Sequence, residues 1–470
     1  MKHTIDNIRD AIHGLNEKFE IESGEEVPAI NLDNGATTPP FIDVIDDINE
    51  KLLRYGSIGR GKGQKSQITS DIYTKGYETV KKFVGADSDD YTVFYVNSTT
   101  DGMNKLASAL ITSPSDIVIS TRMEHHANDL PWRERAKVFY VDVDDKGRLN
   151  IEEYNTLLRK FGGKVKYVTI TAASNVTGYV NDVHAIAEMA HNYGAKIIVD
   201  GAQIIAHRKF SMIGKKPAEN IDFFVFSAHK MYSPFGGGAV VGLKDMLTGE
   251  SNAHEPWINN NSLVRHIPCI YGGGMVDTVL DDDVIYTGTH EVFEAGSPNY
   301  PGVVGMLKAM EILTEVGFDK IEAHEQELLK IAIDGLSKIK GVILYGDSDK
   351  YDDRVGTIAF NIDSIFNSDV AGLLSKKRAI AVRDRAFCAH PYVRRLTGVI
   401  QPNSMDNACG REAPEGMVRV SFGIYNNEED VKTLIQTVKE IAESAVHLGY
   451  ASMDRRVSAP YMSNMPNDRG

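Results

Sequence analysis

The chain has 470 residues, 42% of them hydrophobic and 25% charged, which is the composition of a soluble globular protein long enough for two domains. Its formal net charge of −14 argues against nucleic acid or an anionic membrane as the main partner. The three cysteines (Cys269, Cys388 and Cys409) suggest no disulfide framework, and neither a signal core nor a run of about 18 apolar residues occurs, so we expect a cytoplasmic protein.

The N-terminal residues predict an amphipathic helix, because Ile5, Ile8, Ile12 and Leu15 are spaced for one face. We assign residues 1–30 to an N-terminal helical segment that packs with a smaller C-terminal domain. Short apolar runs then alternate with helical patterns, which is typical of a doubly wound, mostly parallel sheet. The runs lie at 92–96, 116–120, 138–143, 165–171, 196–199, 222–226 and 239–243. They predict a seven-stranded sheet in a large α/β domain of residues 31–300.

The pattern changes after Pro301. Helical stretches at 303–314 and 321–339 precede strand-like runs at 357–362 and 417–421, and a helix is predicted at 428–443. These elements predict a smaller α+β domain of residues 301–450. Residues 451–470 are rich in Arg, Ser, Pro, Met and Asn, so we expect a flexible tail.

Polar side chains follow two of the buried runs. Asp200-Gly201-Ala202-Gln203 comes after one run, and Ser227-Ala228-His229-Lys230 comes after the next. Open α/β sheets bind their ligands at the carboxyl ends of parallel strands. A lysine and a carboxylate held apart at such an edge are suited to pyridoxal 5'-phosphate (PLP), because the lysine binds the cofactor covalently and the carboxylate keeps its ring nitrogen protonated. An exposed strand end with ordinary charges would explain either motif alone.

Two further segments are suited to the same cofactor. Residues 97–102 (Asn-Ser-Thr-Thr-Asp-Gly) follow a strand and begin a helix, where backbone amides and hydroxyls can bind a phosphate. A plain helix cap is the alternative explanation. Residues 123–128 (Met-Glu-His-His-Ala-Asn) offer an imidazole that can stack on a flat ring, or a structural histidine. Neither segment has the spacing of a metal site, and we predict no metal.

The motifs together identify a family resemblance. Residues 123–128, 174–178 (Ser-Asn-Val-Thr-Gly), 200–203, 227–230 and 293–299 (Phe-Glu-Ala-Gly-Ser-Pro-Asn) occur in the order and spacing of the Suf-type cysteine desulfurases and selenocysteine lyases. From about residue 32 to about residue 441 the chain resembles these PLP-dependent enzymes of fold type I in the aminotransferase class V group. The resemblance implies a homodimer with shared active sites, an amino-acid substrate (L-cysteine or a related compound) and a sulfur-acceptor protein.

The resemblance also implies a role for each matched residue. Lys230 binds PLP and moves protons, Asp200 pairs with the ring nitrogen, and His125 stacks on the ring and takes part in catalysis. The remaining cofactor contacts that the resemblance implies are Gln203, Thr99, Thr100, Ser227, His229, Asn175 and, from the neighbouring subunit, Thr287. The substrate contacts that it implies are Arg419, Asn175, Arg383 and Arg60.

The role assigned to Cys388 distinguishes the two reactions that the sequence allows. It matches the cysteine that accepts sulfur in the family, and the expected product is a persulfide on Cys388 with L-alanine released. The family usually reads Arg-Thr-Gly-His-His-Cys, whereas residues 383–388 read Arg-Asp-Arg-Ala-Phe-Cys. Asp384 opposes formation of a thiolate, and the histidines before the cysteine are missing. A class V aminotransferase or C–S lyase acting on another amino acid, with Cys388 not catalytic, therefore remains the alternative to a desulfurase. A binding or scaffold protein is a third hypothesis, although the retained Lys230 argues against it.

Overall fold

The fold is described from a computed structural model that covers residues 2–59, 61–248, 270–399 and 416–447. The predictions for Arg60, Cys269, Cys409 and the tail at 451–470 lie outside these residues. The strands of the first half of the chain are β1 Lys18–Glu20, β2 Glu26–Pro28, β3 Ile30–Asn31, β4 Tyr91–Tyr95, β5 Ile117–Thr121, β6 Lys137–Val141, β7 Val165–Thr171, β8 Lys196–Asp200, β9 Phe223–Ser227 and β10 Gly238–Leu243. Of these, β1 and β2 form a two-stranded antiparallel sheet, β3 is a short separate strand, and the remaining strands form a central sheet.

The central sheet confirms the predicted α/β fold with seven mostly parallel strands. Its order is β4-β10-β9-β8-β7-β5-β6, and β10 alone runs antiparallel to its neighbours. Thr171 pairs with Asp200 and Asp200 pairs with Val225, so the carboxyl ends of β7, β8 and β9 lie side by side. This register brings together the polar residues that follow these strands.

Helices cover both faces of the sheet. Those of the described residues are α1 Ile42–Leu52, α2 Gln64–Phe83, α3 Thr99–Leu110, α4 Leu130–Arg133, α5 Ile151–Phe161, α6 Val183–Asn192, α7 Lys244–Leu247, α8 Tyr300–Val316, α9 Phe318–Leu336, α10 Asn367–Arg378, α11 His390–Thr397 and α12 Glu428–His447. Residues of β9 alternate between the faces: Phe224 and Phe226 pack in a core with α6 and α8, and Phe223 and Val225 pack in a core with α3. Burial on both faces explains the continuous apolar runs in the sequence.

The last part of the chain contains the predicted α+β elements. Its strands are β11 Val276–Val279, β12 Val284–Tyr286, β13 Val342–Tyr345, β14 Thr357–Ile362, β15 Ile380–Ala381, β16 Arg383–Arg385 and β17 Met417–Ser421. Strands β13-β14-β17-β16 form an antiparallel sheet, whose apolar face packs with α9, α10 and α12 in a separate core. Helix α8, predicted to begin the smaller domain, packs instead in the core of the large sheet. The proposed domain boundaries stay predictions.

The predicted N-terminal helix is wrong. Residues 8–11 form a single 3-10 turn, Ile12 makes a β-bridge with Phe41, and Gly14 has a φ of +81°, which favours glycine and ends any helical continuation. Ile8 and Ile12 are buried in the core of the large sheet, so their spacing reflects burial of an irregular segment. Strand β3 pairs with β15, which ties the start of the chain to its C-terminal part.

None of the helices in the described ranges is both long enough and apolar enough to cross a membrane.

Candidate active site

A cavity of about 210 Å³ lies at the carboxyl edge of the central sheet, where β7, β8 and β9 end. Among the described residues, it is lined by all the predicted site residues except Thr287. They are Thr99, Thr100, His125, Asn175, Asp200, Gln203, Ser227, His229, Lys230, Arg383, Cys388 and Arg419. The fold therefore brings together residues that are up to 320 positions apart, from Thr99 to Arg419.

Lys230 and Asp200 lie at the floor of this cavity. Asp200 ends β8, and Lys230 ends the short 3-10 turn that follows β9. Burial lowers the pKa of Lys230 to about 8, against the opposing effect of Asp200. Burial also raises the pKa of Asp200, although its carboxylate accepts a hydrogen bond of 2.9 Å from the Ala202 amide. The site therefore contains an amine that is unusually easy to deprotonate, close to a buried carboxyl group.

His125 and His229 are held as neutral imidazoles. Burial, and then the charge of Lys230, lowers the pKa of His125 to about 3 and that of His229 to about 4. The Nδ1 atom of His125 accepts a hydrogen bond of 3.0 Å from the Ala127 amide. The hydrogen of the neutral ring must therefore be on Nε2, so His125 can donate one hydrogen bond from that atom.

The N-terminus of α3 forms another wall of the cavity. Ser98 caps the helix by accepting a hydrogen bond from the Asp101 amide. The Ser227 hydroxyl accepts a hydrogen bond of 2.7 Å from the Thr99 amide and lies 2.8 Å from the Thr99 hydroxyl. This groups hydroxyls from two elements at the positive end of a helix dipole, an arrangement that suits an anion.

Arg419 reaches the opposite side of the cavity from β17. Its side chain is 3% exposed, and it donates hydrogen bonds to Asp33 (2.7 Å) and to the Asn175 carbonyl (3.1 Å). The buried Nε atom of Arg419 has no hydrogen-bond partner among the described residues. Arg383 is half exposed and lies 3.8 Å from Asp33, so two guanidinium groups share one carboxylate.

Cys388 lies where this cavity meets a second, larger one of about 590 Å³ that opens beside α4. The cysteine is exposed and free of any disulfide. Its loop contacts the Arg419 side of the cavity directly, because Asn175 donates a hydrogen bond of 2.8 Å to the Phe387 carbonyl and the Phe387 ring lies 5.2 Å from the Arg419 guanidinium.

Comparisons with known proteins identify the family to which this chain belongs. The profile of the aminotransferase class V family matches residues 30–434. The chain belongs to the aminotransferase class V family. It is 33% identical over 430 residues to a cysteine desulfurase of Haloferax volcanii (89% of this chain and 91% of that protein), and 32% identical over 421 residues to a probable cysteine desulfurase of Staphylococcus aureus (88% and 92%).

Solved structures give the same result for the fold. A cysteine desulfurase from Thermococcus onnurineus superposes with a TM-score of 0.78 at 25% identity, covering 94% of this chain and 99% of the other. A cysteine desulfurase from Escherichia coli superposes with a TM-score of 0.73 at 25% identity, covering 95% and 99%. The predicted fold class and the predicted membership of the aminotransferase class V group are both confirmed.

Of the predicted contacts among the described residues, one does not line this cavity. Thr287 follows β12 and hydrogen-bonds Thr289, outside the cavity of its own chain, so its contact with a neighbouring subunit stays a prediction. Arg60 lies outside the described residues. Gln203 lines the cavity, and its side-chain amide donates a hydrogen bond of 2.9 Å to the Gly35 carbonyl.

The sequence did not predict Asp33 or Phe387 as site residues. Asp33 pairs with Arg419, yet it is 386 positions away in the sequence, and it is not part of any of the motifs described above. Phe387 stands at a position where the family usually has a histidine. This departure from the family sequence was the one indication that Phe387 is unusual. The contact between Phe387 and Arg419 depends on the conformation of the loop, which the sequence does not show.

Proposed function

We propose that the chain is a PLP-dependent cysteine desulfurase, which converts L-cysteine to L-alanine and takes the sulfur onto Cys388 as a persulfide. The observation that carries this proposal is the shared cavity: Cys388 lines the same 210 Å³ space as Lys230, Asp200 and Arg419. The names of the relatives agree with it.

The residues present fit PLP. The amine of Lys230 would bind its aldehyde carbon, Asp200 would pair with its ring nitrogen, and the hydroxyls at the start of α3 with Ser227 and His229 would receive its phosphate. His125 and Gln203 are the remaining residues that we assign to the ring. When bound, PLP withdraws electrons from the substrate and so activates its Cα–H and Cβ–S bonds.

The protein supplies proton transfer through Lys230. Its lowered pKa of about 8 means that a useful fraction of the amine is neutral near neutral pH and can accept the substrate's Cα proton. Asp200 stays close enough to keep that pKa from falling further. The neutral His125 can donate from Nε2, which makes it the second proton carrier of the site.

Arg419 and Asn175 are assigned to the substrate carboxylate. Arg419 already holds one carboxylate, that of Asp33, and its Nε atom is buried without a partner. A planar substrate carboxylate would satisfy that nitrogen, since guanidinium groups bind carboxylates through two parallel hydrogen bonds. The hydrogen bond from Asn175 to the Phe387 carbonyl would then connect the substrate contacts to the loop that carries Cys388.

The sulfur transfer is balanced without an external oxidant. The thiolate of Cys388 attacks the substrate sulfur, an S–S bond forms, and the Cβ–S bond breaks with its electron pair left on Cβ. Protonation of that carbon gives L-alanine, and Cys388 holds one additional sulfur atom. A sulfur-acceptor protein would collect this sulfur at the exposed side of the loop, because Cys388 is exposed.

A homodimer is part of the proposal. Apolar side chains are exposed around the β11–β12 hairpin, namely Ile270, Tyr271, Val279, Leu280 and Ile285. Thr287 follows this hairpin directly, so a second copy packed against it would bring the Thr287 hydroxyl toward the partner's phosphate site. A cytoplasmic location and the Suf-type subgroup complete the proposal.

The test is a comparison of the wild-type protein with Cys388→Ser on a panel of amino acids, with alanine, sulfide and keto acid followed together. We expect alanine from L-cysteine in the wild type and a loss of at least about 100-fold in Cys388→Ser, because the hydroxyl is a far weaker nucleophile. Unchanged C–S cleavage in Cys388→Ser would instead establish the lyase, and keto acid formed from another amino acid would establish the aminotransferase.

A further inference from the structure

The loop that carries Cys388 has an unfavourable backbone. Arg385, Phe387 and Cys388 have φ values of +73°, +51° and +55°, in the left-handed region that side chains other than glycine rarely adopt. Such a conformation persists only where surrounding contacts hold it. The family's usual glycine is absent from this loop, so the contacts matter more here.

His126 contacts the loop at two points. Its backbone amide donates a hydrogen bond of 2.7 Å to the Cys388 carbonyl. Its side-chain Nε2 lies 3.0 Å from Nδ1 of His390, and the two rings are nearly parallel, with an angle of 11° between their planes. His126 therefore holds this part of the chain at Cys388 and again two residues later, at His390.

The ring contact limits how many protons the pair can hold. One of the two facing nitrogens must carry a hydrogen and the other must accept it, so the hydrogen bond survives with one added proton and is lost with two. His390 also begins α11, and a cation is disfavoured at a helix N-terminus. Burial, and then His390, lowers the pKa of His126. The titratable and charged groups around the pair are His125, Asp129, Arg133, Glu134, Arg135 and Cys388.

We propose that His126 and His390 form a positioning pair that holds the Cys388 loop in its reactive conformation. The inference rests on the proposed function only in naming Cys388 as the sulfur acceptor. It assigns a role to His390, which follows the cysteine in this chain, whereas the histidines that the resemblance led us to expect precede it. Loss of the hydrogen bond by substitution or by double protonation would release the loop.

The test compares His390→Ala, His390→Asn and the exposed control His13→Ala in the full-length protein. Asparagine places an amide close to the position of Nδ1 and cannot be protonated, so it keeps a partner for His126. Amide hydrogen exchange of residues 386–393 reports on the loop whether or not the protein is active. We expect His390→Ala to exchange about two- to tenfold faster, the factor for one lost hydrogen bond, and His390→Asn and His13→Ala to match the wild type.

Two further readouts separate positioning from general stability. Persulfide formation on Cys388 should slow about two- to tenfold in His390→Ala and recover in His390→Asn. Acidification should speed exchange of the wild-type loop but not of the His390→Asn loop, because only the wild type can place two charged rings in contact. Amide exchange at the wild-type rate in His390→Ala, or no recovery of slow exchange and persulfide formation in His390→Asn, would refute the positioning role of the pair. If the wild-type protein forms no persulfide, the desulfurase proposal is refuted. The hydrogen-exchange result then decides by itself whether the pair holds the loop.

Discussion

Substitution of Asp200 by asparagine should lower the pKa of Lys230. Burial lowers this pKa to about 8, and Asp200 is the first of the groups that oppose the effect. At pH 8 about half of the Lys230 amine is then neutral, compared with about 0.4% for an ordinary lysine with a pKa of about 10.4. Removal of the carboxylate's charge leaves the ammonium without its main partner. Each 1.36 kcal/mol of lost attraction lowers the pKa by about one unit, so we expect a value near or below about 7.

The assay is competitive reductive methylation of the cofactor-free protein from about pH 6 to about pH 10, read by mass spectrometry of the Lys230 peptide. The matched control is Asp222→Asn, which removes a buried carboxylate at the opposite end of β9, where it pairs with His191 and Lys196. We expect the control to leave the Lys230 midpoint unchanged. A wild-type midpoint near that of an ordinary lysine would refute the burial effect, and an upward shift in Asp200→Asn would refute the role of its charge.

Three other substitutions test the site and the fold. Lys230→Ala should abolish covalent attachment of PLP, and borohydride reduction that fixes the cofactor to another lysine would refute the site. Arg419→Lys should raise the KM for L-cysteine about ten- to 100-fold, because a charge-assisted hydrogen bond contributes roughly 1.5–3 kcal/mol; an unchanged KM would remove Arg419 from the substrate site. Gly201→Ala should lower the free energy of unfolding by about 1–3 kcal/mol in urea denaturation, because the added Cβ would lie 2.0 Å from the Phe224 ring. Gly163→Ala, with nothing within 4 Å, is its control, and equal stabilities would contradict the packing described here.

The strands and their functional ends were predictable because burial on both faces of a parallel sheet leaves a continuous apolar run. The run at 165–171 and the strand β7 agree residue for residue, and Asp200 ends β8 as expected. Helix α2 was missed because its buried residues include Thr69 and Gly76 besides Tyr73 and Val80, which gives no apolar stripe. Contacts between distant segments could not be predicted from the sequence either. Asp33 contacts Arg419, and His126 contacts His390, only because the whole chain packs in this way.

The most direct test of the desulfurase is a single turnover of the PLP-loaded protein with one equivalent of L-cysteine, followed by mass spectrometry of the unreduced protein. We predict one alanine released for each protein molecule that gains the mass of one sulfur atom, with the added mass on the Cys388 peptide and removed by a reducing agent. Alanine or a keto acid formed while Cys388 stays unmodified would contradict the assignment of Cys388 as the sulfur acceptor.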